Sequence, residues 1–160
     1  MGRFVLALGS ERDTERLGDG LASVLRPGDL VLLSGELGAG KTTLARAIVY
    51  ALGVARDEAV TSPTFALLHE YEGRVHVVHA DLYRLDPGAD LTELGLPELL
   101  DSSVTLVEWG EGRGGVLGRA DAIVRLTFGA AEGARMAELE LADRFLARSD
   151  VRAWAESLAA

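Results

Sequence analysis

The chain has 160 residues, 48% hydrophobic and 26% charged, enough for one packed domain and unlike a disordered tail. Sixteen Lys and Arg stand against 25 Asp and Glu, a formal charge of −9 without any run of basic residues. That balance argues against strong direct binding of nucleic acid and suits a basic protein partner. The absence of cysteine removes disulfides, thiolate chemistry and cysteine metal sites.

Residues 4–8 read as a first strand. The run is too short for a signal peptide, and Leu6 stands where a myristoylation signal needs Ser or Thr. No stretch approaches the roughly 20 apolar residues of a membrane span, so a cytoplasmic protein is expected. Ser10 can cap a helix over 11–25, with Leu17, Leu21 and Leu25 as its buried stripe and Glu15 and Arg16 on the solvated side. Arg26-Pro27-Gly28 turns the chain into an apolar run over 29–34, readable as a buried parallel strand. A second helix is expected over 41–52, with Leu44, Ala45, Ile48 and Ala51 at helical spacing. Residues 61–65 read as an ordered loop. Residues 65–71 and 74–79 read as a hairpin with a two-residue turn at Glu72-Gly73, which makes the sheet mixed.

Asp86-Pro87-Gly88 is a turn, followed by short helices over 91–95 and 97–100 with Pro97 at a first helical position. A buried strand over 104–107 leads into Glu108-Trp109 and a flexible glycine-rich loop over 110–118. Residues 122–128 and 135–141 form a last hairpin around 129–133. Residues 151–158 are helical, with Trp154 packed on the core. There is no repeat and no dividing linker. The expectation is a single domain over 1–160: an α/β, three-layer fold with a mixed central sheet and β-hairpins.

Gly35-Glu36-Leu37-Gly38-Ala39-Gly40-Lys41-Thr42-Thr43 matches G-x-x-x-x-G-K-[ST], the phosphate-binding P-loop, at every specified position, so the expected domain over 1–160 is a P-loop NTPase-like fold. Glycines let the backbone approach an anion, and successive N–H groups then cradle phosphates. Lys41 brings a cation to the β- and γ-phosphates, and the Thr42 hydroxyl is placed to bind Mg²⁺. A strand before and a helix after are the context this chemistry needs. The expected nucleotide contacts are Glu36, Leu37, Gly38, Ala39, Gly40, Lys41, Thr42 and Thr43, with ATP and Mg²⁺ as cofactors.

Hydrolysis also needs an acid to hold the metal or orient water, at the carboxyl end of a strand beside the P-loop strand. Asp81 and Glu108 each follow an apolar run and are the two candidate catalytic residues. Either can hold the metal while the other positions water; Thr42 and Glu108 form the working ligand set. His69, His76 and His79 alternate along the predicted hairpin and read as sheet-surface or satisfied core histidines. Arg84 can reach phosphate or lie on the surface.

Four segments in order carry a resemblance. They are the P-loop, Ser62-Pro63-Thr64-Phe65, His79-Ala80-Asp81-Leu82-Tyr83-Arg84-Leu85 and Val107-Glu108-Trp109-Gly110-Glu111. Together they resemble the bacterial TsaE family, the ATPase of tRNA threonylcarbamoyladenosine biosynthesis, over about residues 10 to 142. The resemblance implies a cytoplasmic ATPase, weak alone. It implies action with a TsaD-type subunit, which transfers threonylcarbamoyl to adenosine 37 of ANN-decoding tRNAs, and with its TsaB-type paralogue. Transfer RNA would then be reached only through that complex. The resemblance places the switch-like segment on 61–65, the motif aspartate on Asp81, and the acid–tryptophan pair on Glu108 and Trp109; Trp109 joins the expected nucleotide contacts. The loop after Glu111 and the tail after Asp143 match no motif.

A P-loop small-molecule kinase is the alternative. It would need a lid arginine, which Arg113 or Arg119 could supply, and an acceptor pocket. A GTPase-like switch would carry N-K-x-D, which is not in the chain.

Overall fold

The computed structural model describes residues 1–61, 68–86 and 88–158. Seven strands form one sheet: β1 (Gly2–Leu8), β2 (Leu30–Gly35), β3 (Leu68–Glu72), β4 (His76–Asp81), β5 (Val104–Glu108), β6 (Ala122–Phe128) and β7 (Arg135–Leu141). Their spatial order is β1-β7-β6-β2-β5-β4-β3. β2 lies at the centre, parallel to β5 on one side and β6 on the other, and β4 continues the parallel set beyond β5. β3, β7 and β1 pair antiparallel to their neighbours, so the sheet is mixed as expected.

Alternation along the strands divides the apolar residues into two cores. Val31, Leu33, Val77, Leu106 and Val124 face one side, where the helices α1 (Glu11–Val24), α2 (Lys41–Ala51) and α5 (Ser149–Leu158) supply Leu21, Leu44, Ile48 and Val151. Leu30, Leu32, Val78, Ala80 and Val107 face the other. That side is closed by Leu82, by Leu96 of α3 (Leu96–Leu100) and by Leu117. Burying both faces of a parallel sheet accounts for the near-continuous apolar runs of β2, β4 and β5. Among the described residues no helix is long and apolar enough to cross a membrane.

Local chemistry sets the boundaries. Ser10 accepts the Asp13 N–H and caps α1, whose Leu17, Leu21 and Leu25 are buried while Glu15 and Arg16 are exposed. Trp154 packs against α1 beside Gly20.

Four expectations need correction. The β3–β4 connection has three residues, not two, because Glu72 stays in the ladder opposite His76. The hairpin end docks on the end of α2: Arg74 donates its N–H to the Leu52 carbonyl and its guanidinium to the Ala51 carbonyl. A side chain on Gly73 would strike that Leu52 oxygen at 2.4 Å. Pro97 occupies the second helical position of α3, after Leu96, with Gly95 as the cap. A one-turn helix, α4 (Asp143–Leu146), precedes α5 and buries Phe145. The glycine-rich loop, finally, is a fastened segment. Residues Gly115–Arg119 form a 3-10 turn, and a Cβ on Gly110 would lie 2.9 Å from Val107. The expected Ser62-Pro63-Thr64-Phe65 loop and Pro87 lie outside the described residues.

Candidate functional site

The phosphate loop leaves the carboxyl end of β2. Gly38 and Gly40 adopt φ of 83° and 107°, a left-handed region that favours glycine. A Cβ on Gly35 would meet the Leu126 carbonyl oxygen at 2.5 Å, so this turn packs tightly against β6. Gly40 caps α2 without a side-chain bond, leaving the first turn of that helix open toward an anion. Ala39 is fully buried and its N–H closes on the Glu36 carbonyl, while Glu36, Leu37 and Gly38 form the exposed rim. Thr42 and Thr43 sit half-buried in the first turn of α2.

Three parallel strands bring the acids to this loop. Asp81 ends β4 directly opposite Glu108, which ends β5, and Glu108 is opposite Leu33 of β2. Partners in register point to the same face, here the α2 face. The Lys41 ammonium donates to the Gly35 carbonyl and, at 3.0 Å, to the Glu36 carbonyl, and it lies 4.4 Å from the centre of the Trp109 ring. Burial lowers the Lys41 pKa, and the negative charges of Glu108 and Asp81 oppose that shift. Burial raises the Asp81 pKa, and the Glu108 charge raises it further. The Tyr83 N–H, His79 and Lys41 pull the other way.

Trp109 has φ of 61°, the single positive value at a non-glycine residue among those described. Such a conformation costs on the order of 1–3 kcal/mol and persists where neighbours hold it. Here Tyr83 packs on the indole at 4.8 Å between ring centres, and the Arg113 Nε donates to the Trp109 carbonyl. Glu111 reaches back to Arg125 and Ser34, and these bonds, Arg125 foremost, hold its pKa low.

Asp81, Glu108, Trp109 and Lys41 therefore lie together at one edge of the sheet. Arg84 is exposed. His76 sits at the surface between Glu70 and Glu72, and His79 is a core residue bonded to Glu108. The two lid candidates fail. Arg113 donates to the carbonyls of Trp109, Asp86, Leu82 and Leu85, which commits it to bracing. Arg119 lines a cavity with Leu30 and Asp121, at the amino end of β2 away from the phosphate loop.

Sequence reasoning missed the cavity of about 320 Å³ that flanks the loop beside Gly40 and Thr43. Its other wall is Ser10 and Thr14 of α1 and Arg135 at the tip of the β6–β7 hairpin. Arg135 donates to the Gly38 and Ala39 carbonyls and stacks on Phe128. Nothing in the local sequence around Arg135 signals this role; it follows from long-range pairing.

A model of the family described as "Threonylcarbamoyl adenosine biosynthesis protein TsaE" matches residues 8–137. The chain belongs to the TsaE family. Its relatives include the tRNA threonylcarbamoyladenosine biosynthesis protein TsaE of Streptomyces coelicolor, 52% identical over 106 residues, covering 61% of this chain and 67% of that protein. The protein of the same name from Rickettsia conorii is 43% identical over 106 residues, covering 65% of this chain and 59% of that one. That alignment spans less than two thirds of the Rickettsia protein. The fold is also that of the crystal structure of YdiB from Bacillus, with a TM-score of 0.70, 23% identity and coverage of 99% of this chain and 95% of that one. The TsaE match takes in the P-loop, Asp81, Glu108 and Trp109, so the converging residues all lie inside the family segment.

The residues fit Mg²⁺ and a nucleotide triphosphate. The loop carries positive-φ glycines and a buried lysine, and the acids are hard oxygen donors. Among the described residues no three of His, Cys, Asp and Glu gather into a metal site. Mg²⁺ commonly binds through one or two protein oxygens and completes its shell with phosphates and water.

Proposed function

We propose that this TsaE-family chain is a cytoplasmic, Mg²⁺-dependent ATPase that serves tRNA threonylcarbamoyladenosine biosynthesis, docking on a TsaD-type transferase and its TsaB-type paralogue. The observation that carries the reading is the convergence of Lys41, Asp81, Glu108 and Trp109 at the carboxyl ends of β2, β4 and β5. In this reading residues 36–43 wrap the phosphates, and the cavity beside Thr43 takes the nucleoside end. Lys41 exchanges its loop carbonyls for phosphate oxygens. Thr42 and Glu108 would hold the metal, which would supply charge neutralisation at the phosphates. Asp81, the acid whose proton affinity burial raises, orients and deprotonates water. With Arg113 spent on bracing and Arg119 on the far edge, no candidate lid supports the kinase alternative.

Purified protein with ATP and Mg²⁺ tests this. Lys41→Ala should weaken ATP binding about tenfold or more, the scale of a charge-assisted hydrogen bond. Phosphate release should stop in excess chelator, and nucleosides or sugars should not take up the γ-phosphate. Equal ATP affinity in the variant, or transfer to an added acceptor, would contradict the reading.

A further inference from the structure

His79 is fully buried, and its Nε2 lies 2.6 Å from Oε2 of Glu108, itself only 2% exposed. The other ring nitrogen, Nδ1, is buried with no hydrogen-bond partner among the described residues. This is a poor way to fill space. His79 shares its sheet face with Val77 and sits opposite Leu106, where an aliphatic side chain would pack without stranding a polar atom. His76, three residues earlier and so on the opposite face of the strand, keeps both ring nitrogens on carboxylates at the surface. What the buried imidazole gains is one short bond to one oxygen of an acid in the site.

We propose that His79 is a positioning residue for Glu108: by donating its Nε2–H to Oε2, it fixes the orientation of the carboxylate that serves the metal–nucleotide complex. The inference rests on the reading of Glu108 as a Mg²⁺ ligand. Groups that bond a ligand from behind set its orientation, and their loss typically weakens metal binding by about 10–100-fold. His79 touches neither phosphate nor water in this scheme. Alternation puts His79 and Asp81 on the same face of β4, and the pairing of β4 with β5 brings that face beside Glu108.

The test measures Mn²⁺ affinity by electron paramagnetic resonance in the presence of a non-hydrolysable ATP analogue, alongside analogue affinity without metal. Wild type, His79→Leu, His79→Gln and Glu108→Gln are compared. His79→Leu should bind Mn²⁺ at least about tenfold more weakly while keeping its metal-free analogue affinity within about twofold. His79→Gln, whose amide nitrogen can take the place of Nε2, should recover most of the loss. If His79→Leu does not fold, His79→Met replaces it under the same criteria. Wild-type Mn²⁺ affinity in His79→Leu, with Glu108→Gln weakened, would overturn the positioning role alone; a lower melting temperature would then mark His79 as packing only. An equal fall in metal-free affinity, or no recovery in His79→Gln, would also overturn it. Unchanged Mn²⁺ affinity in Glu108→Gln would remove Glu108 from the metal, and the inference with it.

Discussion

Asp81 ionises against its surroundings, since burial and the adjacent Glu108 charge raise its pKa above the ordinary 3.8 despite the Tyr83 N–H, His79 and Lys41. A carboxyl whose folded-state pKa is raised binds its proton more tightly when folded. Below 3.8 it exerts no penalty; the penalty grows as pH rises through the folded value and is complete above it. Asp81→Asn should therefore unfold at higher urea concentration than wild type at pH 7, and the advantage should vanish as pH falls toward 4. Urea titrations at both pH values decide it: no gain at pH 7, or a gain that persists at low pH, would show that Asp81 is not strained by its charge. Activity should fall in the same variant, as is usual where a site holds a charge against its preference. At this scale the sequence was informative where spacing fixes geometry. The P-loop pattern, Asp81 and Glu108 were readable because each ends an apolar strand. The left-handed Trp109 and the bond from His79 to Glu108 were not, because both depend on which strand lies beside which.

Among the elements, the loop over 110–120 departs most from its reading. Glycine content suggests mobility, yet Arg113 ties it to the segment after β4 through three carbonyl oxygens, those of Leu82, Leu85 and Asp86. Leu117 is buried beneath it, and Glu111 anchors it to Arg125. Arg113→Ala should strand several of those oxygens and lower stability by about 2–3 kcal/mol. It should also speed amide exchange in both 82–86 and 110–120. Arg113→Lys should not restore protection, because an ammonium cannot reproduce the guanidinium fork. Hydrogen exchange followed by mass spectrometry is the check, and unchanged exchange in 82–86 would refute the brace. The β6–β7 hairpin was readable to the residue because its turn is local. The β3–β4 connection and α4 were misread or missed because contacts with α2 and with the core around Phe145 override local signals.

Across the whole molecule, the two-sided core leaves the carboxyl edge of the sheet for the site, and the charge of −9 leaves little to hold polyanions. The cavity of about 320 Å³ beside the phosphate loop has space for a nucleoside. Nucleotide turnover would then act through a partner, as a shift between docked and released states. The layered α/β class followed from alternating strand and helix patterns, whereas the strand order required the β1–β7, β2–β5 and β2–β6 pairings that no local pattern specifies. The most direct test is the threonylcarbamoyladenosine content of tRNA from native cells whose own copy is replaced by wild type or by Lys41→Ala at equal protein level. The account predicts normal modification with wild type and a marked loss with Lys41→Ala. Normal modification with Lys41→Ala would contradict it.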